Sequence, residues 1–138
     1  HSDVLCCLED ELTVLQECRR VINADGRMCF TVIRLADGLK GTAMERAVQA
    51  GPEFIHSETH YPSMLQSAGW QTIQQDDITG AFCASIERMI AAEEKQSESL
   101  RALRGNEANE TAQANWRYKL QAVADGLILR EFFSVVPA

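Results

Sequence analysis

Basic residues are in short supply in this chain of 138: 13 Lys and Arg stand against 20 Asp and Glu, a net charge of −7. A surface of that sign repels a phosphate backbone and an anionic bilayer, so neither nucleic acid nor membrane is expected as a partner. Long apolar runs are lacking as well. No stretch approaches the roughly 20 residues that cross a bilayer, and no basic-then-apolar leader opens the sequence. Cysteine spacing of a ligating or redox kind is also absent. Cys6, Cys7, Cys18, Cys29 and Cys83 are odd in number, none forms Cys-x-x-Cys, and all fall in segments that read as helix or strand. Reduced thiols in a cytoplasmic protein are the expectation. There is no internal repeat, linker or low-complexity tract. What the chain does have is 46% hydrophobic residues, enough for one globular domain over residues 1–138 with a core of its own.

That core is organised around Leu8–Arg34. Leu8, Leu12, Leu15, Cys18, Val21 and Ile22 recur on one stripe of a helix, with Glu9, Asp10, Glu17 and Arg20 elsewhere. Asp25-Gly26 turns the chain, and Met28–Ile33 follows as an apolar strand without polar alternation, the pattern of a strand covered on both faces. The residues before it, Ser2–Cys7, read as a lead-in to the helix. After Arg34 comes a loop, then Thr42-Ala43-Met44-Glu45, a capping box opening a short helix that stops at Gly51-Pro52. Glu53–Glu58 is expected to be extended, and Tyr61-Pro62 to start a helix that ends at Gly69. Trp70–Ile78 is poor in apolar residues, as an edge strand is. A long helix then runs from Thr79, with Phe82, Ile86, Met89 and Ile90 on one face, and turns polar all round past Ala92. Arg104-Gly105-Asn106 breaks it. A second long helix carries Ala112, Trp116, Leu120 and Val123, so an antiparallel helical hairpin is predicted. Ile128–Val136 closes the chain as a strand.

The same residues resemble a known family. LEDELTVLQECRRVINADGRMCFTVI is similar to the segment of class I S-adenosylmethionine-dependent methyltransferases in which a helix leads through a glycine turn to the fifth strand, with Asn23–Arg27 at the turn. The likeness continues through Ala50-Gly51-Pro52, Tyr61-Pro62, Ala68-Gly69-Trp70, Asp77-Ile78-Thr79 and Asp125-Gly126-Leu127. It reaches nearly the whole chain but only the C-terminal part of the family. The glycine-rich loop after the first strand and the acidic residue ending the second would lie before His1. The resemblance implies an α/β fold (an α+β fragment). Its sheet is small, mixed and three-stranded, in the family order five, seven, six, with about five helices including the long hairpin.

Candidate chemistry is sparse. A methyl-donor or dinucleotide site on this fold needs a glycine turn that admits the ligand to backbone amides, and a carboxylate for the ribose. Asp25-Gly26 sits at the wrong end of its strand for that. No cofactor-binding or catalytic residue is therefore assigned, and S-adenosylmethionine is expected only if the other half is supplied. His56, His60 and Tyr61, with Glu58 nearby, lie where the resemblance places the acceptor pocket and are the candidates for binding a small ligand. Two histidines do not make a metal site. Cys18 and Cys29 read as small core hydrophobes, Trp70 and Trp116 as core anchors, and Asp76-Asp77 as a cap before the Thr79 helix.

On this reading the Met28 strand lacks its family neighbour and presents an apolar edge, an invitation to pair with another chain. A homodimer is expected, burying Leu12 and Leu15 of the helix or Met28, Phe30 and Val32 of the strand. Three functions stay open. One is a methyltransferase-like chain, inactive alone, self-associating and binding a small ligand in the old acceptor pocket. Another is a methyltransferase active only with its missing half. The last is an interaction module using the hairpin.

Overall fold

The computed structural model describes residues 1–55 and 60–138. Three strands form the sheet: β1 (Met28–Leu35), β2 (Trp70–Asp77) and β3 (Ile128–Pro137), in the order β1-β3-β2. This is the order five, seven, six expected from the resemblance, in a mixed α/β architecture. Both pairings are antiparallel. The parallel element is a single bridge, Ser2 to Thr31.

That bridge corrects the reading of the N-terminal residues. The Asp3 amide donates to the Thr31 carbonyl at 2.9 Å, and the Thr31 amide to the His1 carbonyl at 3.2 Å. His1–Asp3 thus lies along β1 as a strand would, and part of the edge expected to be bare is covered. Arg130 secures the arrangement from the far side. Its Nε and Nη2 donate to the two Asp3 carboxylate oxygens at 3.1 and 2.7 Å, and its guanidinium stacks 5.1 Å above the Phe82 ring. Asp3 takes a positive φ of 51° here and turns the chain out of the sheet into a 3-10 turn, Leu5–Cys7.

Helix α1 (Glu11–Val21) starts where Asp10 accepts from the Thr13 amide at 3.0 Å and ends with Arg19 and Arg20 in its last turn, both favourable to the helix dipole. It packs with α3 (Tyr61–Ser67) on the sheet face that carries Trp70 and Phe133. The Trp70 Nε1 donates to the Leu15 carbonyl at 3.0 Å, and the Tyr61 and Phe133 rings meet at 6.1 Å. Gly69, at φ 80°, turns α3 into β2. A bulge between Thr72 and Gln74 breaks the register of β2, a device that blunts an outer strand.

The other face is covered by α4 (Thr79–Lys95) and α6 (Asn106–Ala124), through buried Phe82, Ile86, Ala122 and Val123. Asp77 caps α4, accepting from the Thr79 amide at 2.8 Å. The first arm of the predicted hairpin is not one helix. It breaks at Gln96, whose ψ of 17° leaves the helical range, and α5 (Ser97–Arg104) follows, so six α-helices stand where about five were expected. No apolar stripe runs through Glu93–Glu98 to hold the arm straight. Gly105, at φ 85°, then opens α6.

Three local expectations fail. Helix α2 (Gly41–Ala50) begins before Thr42, with Lys40 at its cap and no side chain capping it, so the capping box does not form. Glu53–Ile55 is a turn, and the remainder of the segment predicted as extended lies outside the described residues. Cys29 is exposed, although Ile33 farther along the same face of β1 is buried.

Candidate functional site

Buried polar groups mark where this fold departs from a plain apolar core. Glu11 is 4% exposed, in the first turn of α1, and Tyr61 is 3% exposed, in the first turn of α3. The Tyr61 hydroxyl donates to Glu11 Oε1 at 2.6 Å. Burial first, and then the neighbouring carboxylate, push the Tyr61 phenol well above its ordinary value. Beside them is Cys6, 1% exposed, its thiol pushed up to about 11, chiefly by burial. The same sheet face carries Glu131, opposite Val32 in the register. Glu131 accepts from Arg34 Nε at 2.8 Å and from Gln75 Nε2 at 3.1 Å.

These groups lie over the sheet face: the Tyr61 ring meets Phe133, which pairs with Phe30, and Glu131 pairs with Val32. Tyr61 and Cys6 stay protonated at neutral pH, so neither serves as a nucleophile there. A buried carboxylate hydrogen-bonded to a phenol offers instead a fixed acceptor and an aromatic face, which suits binding and orientation.

Of the residues predicted to line a substrate pocket, Tyr61 sits in this cluster. His60 is exposed at the start of α3 without capping the helix, its Nδ1 2.9 Å from Ser63 Oγ. His56 lies outside the described residues, as does Glu58. Glu11 was missed. Its signal was legible, since Glu11, Leu15, Cys18 and Ile22 share a stripe and a charge there calls for a buried partner. The Arg34–Glu131 pair joins residues far apart in sequence and left no local trace. Among the residues expected at a dimer interface, Leu15, Phe30 and Val32 are buried within the single chain, Met28 is half-buried, and Leu12 is 36% exposed.

A Cβ at Gly26 would run into the Ile22 side chain, so that glycine serves packing. Gly38 and Gly41 follow β1 at φ 74° and 53°, with open space where a Cβ would stand. The nearby carboxylate, Asp37, is 91% exposed and paired with Arg34. Among the described residues, no three metal-ligating side chains converge, and no helix is long and apolar enough to cross a membrane.

No protein-family model matches the sequence, and no curated protein matches it. Solved structures do. A protein described as a sarcosine dimethylglycine methyltransferase, from Galdieria sulphuraria, superposes with a TM-score of 0.85 at 18% identity, over 98% of this chain and 50% of its own. Phosphoethanolamine N-methyltransferase 2 from Haemonchus contortus, solved with S-adenosyl-L-methionine, gives 0.83 at 17% identity, over 99% and 32%. The cyclopropane synthase MmaA2 from Mycobacterium tuberculosis gives 0.77 at 11% identity, over 93% and 50%. The fold is that of the C-terminal part of a class I methyltransferase. In this methyltransferase-like fold β1, β3 and β2 take the places of the fifth, seventh and sixth strands. The chain spans between a third and a half of the length of these three relatives.

Proposed function

We propose that this chain supplies the acceptor side of a methyltransferase-like fold and does not bind S-adenosylmethionine by itself. The buried Glu11–Tyr61 pair, held where α1 and α3 meet over Phe133, carries the reading, since a fixed carboxylate and phenol on an aromatic-lined sheet face can orient a small ligand. A small ligand with a hydrogen-bond donor or a cationic group fits the carboxylate and phenol. Titration calorimetry with S-adenosylmethionine tests the proposal. The isolated chain is expected to give no heat of binding at micromolar ligand, and micromolar affinity overturns it. Methyl transfer is expected only where polypeptide beyond these residues, or a second chain, brings the donor.

Self-association is a second part of the reading. Val4 and Leu12 remain 42% and 36% exposed, Val4 where the chain enters the 3-10 turn beside β1 and Leu12 on α1, which contacts that turn. A homodimer using this patch is expected by light scattering at micromolar concentration, and a monomer there refutes it.

A further inference from the structure

The far end of the helical hairpin is built the wrong way round. Helix α5 buries none of its residues: Leu103 is 83% exposed and Leu100 half-buried. Polar groups on the helices it packs against are buried instead. Asn109, near the start of α6, is 0% exposed, and neither its Oδ1 nor its Nδ2 has a hydrogen-bond partner among the described residues. Glu93, in the last turn of α4, is in the same condition at one oxygen. Its Oε1 accepts from Arg104 Nη1 and Nη2, both at 3.3 Å, while Oε2 is buried without a partner.

A buried amide or carboxylate oxygen left without a partner costs free energy, and apolar burial is what ordinarily offsets it. α5 supplies almost none. Among the described residues, its one side-chain link to another helix is Arg104 to Glu93. Both ends of α5 are breaks in the helical run. Gln96 precedes it at ψ 17°, and Gly105 follows at φ 85°, with open space where a Cβ would stand. Letting go of α5 therefore forfeits one ion pair and very little apolar contact, and it gives orphaned polar groups access to water.

We propose that α5 is a strap that opens by itself, releasing Glu93 and Asn109 to water and freeing its Leu100 and Leu103 face while the sheet stays folded. The inference is independent of the acceptor reading and involves neither Glu11 nor Tyr61. Native-state hydrogen exchange, resolved by residue and followed in low urea, tests it. The amides of Leu100 to Arg104 are expected to exchange at least about a hundredfold faster than those of β1 and β3, and with little urea dependence, since a local opening exposes little surface. Exchange of α5 at the rate and urea slope of the sheet overturns the strap in the unmodified chain, with no variant needed. Asn109→Leu keeps the volume without the orphaned amide and is expected to slow α5 exchange about tenfold. An unchanged or faster rate overturns the role given to that amide. Arg104→Ala is expected to speed α5 exchange about threefold, the usual weight of a surface link, with β3 unaffected. Equal acceleration of β3 overturns an opening confined to the strap.

Discussion

A carboxylate cut off from water keeps its charge only where donors reach it, and Glu11 finds one of them in the Tyr61 hydroxyl. Tyr61→Phe removes that donor and keeps the ring. The expected loss is about 1–3 kcal/mol of stability by denaturant unfolding, the range for leaving a buried acceptor short of a partner. The same cluster sets an alkaline limit. The Cys6 thiol ionises near 9.0 when unfolded but is pushed up to about 11 in the fold, so above pH 9 the unfolded chain releases a proton that the folded one keeps. Stability is therefore whole below pH 9 and falls by about 1.4 kcal/mol per unit as pH rises toward 11. Tyr61, also raised, extends the decline. Cys6→Ala is expected to flatten the first part of that slope, as measured by urea midpoints between pH 8 and 11. At this scale the sequence was partly legible. Tyr61 was singled out from its neighbourhood, but Glu11 was overlooked on an otherwise apolar stripe.

Helices and strands follow from local chemistry wherever a cap, a glycine or a stripe is strong. The α1 cap at Asp10, the Gly69 turn and the Gly105 break are all of this kind, and each can be read from a few adjacent residues. The Thr42–Glu45 box fails because the chain enters α2 at Gly41 in a conformation that starts the helix too early for Thr42 to cap it. The break at Gln96 was invisible because a wholly polar stretch offers no periodicity to interrupt. Two predictions belong here. Gly26→Ala drives a methyl into Ile22 and is expected to cost about 1–3 kcal/mol, with Ile22→Ala in the same chain recovering part of it through a favourable coupling of at least about 0.5 kcal/mol. Arg130→Met cuts the link between β3, α4 and the His1–Asp3 segment. It is expected to cost about 1.5–3 kcal/mol, the weight of hydrogen bonds to charged groups, and to make Asp3→Ala nearly silent in a double-mutant cycle.

The order of the strands belongs to the whole molecule, and no local rule yields it. β1 and β3 are far apart in the chain, and their adjacency was legible only through the family resemblance, which gave the order but not the register that sets Phe30 against Phe133. The same holds for the edge of β1. The apolar run Met28–Ile33 correctly signalled a strand built for a sheet interior, but its outer neighbour, His1–Asp3, falls in residues that read as a lead-in to the helix. Three residues held by two backbone hydrogen bonds and an arginine are enough to mask the edge around Thr31. An uncovered interior strand pairs readily with another chain, so covering the edge around Thr31 is expected to limit association through β1. Deleting His1–Asp3 is accordingly expected to convert the protein to higher oligomers, seen as a rise in mass by light scattering and in β-sheet signal with concentration. Association by way of Val4 and Leu12 alone has a different signature, since those residues remain after the deletion and hold the mass at that of a dimer. Double Val4→Ser and Leu12→Ser substitution separates the two, abolishing a patch-mediated dimer while leaving edge-driven assembly of the deleted chain untouched.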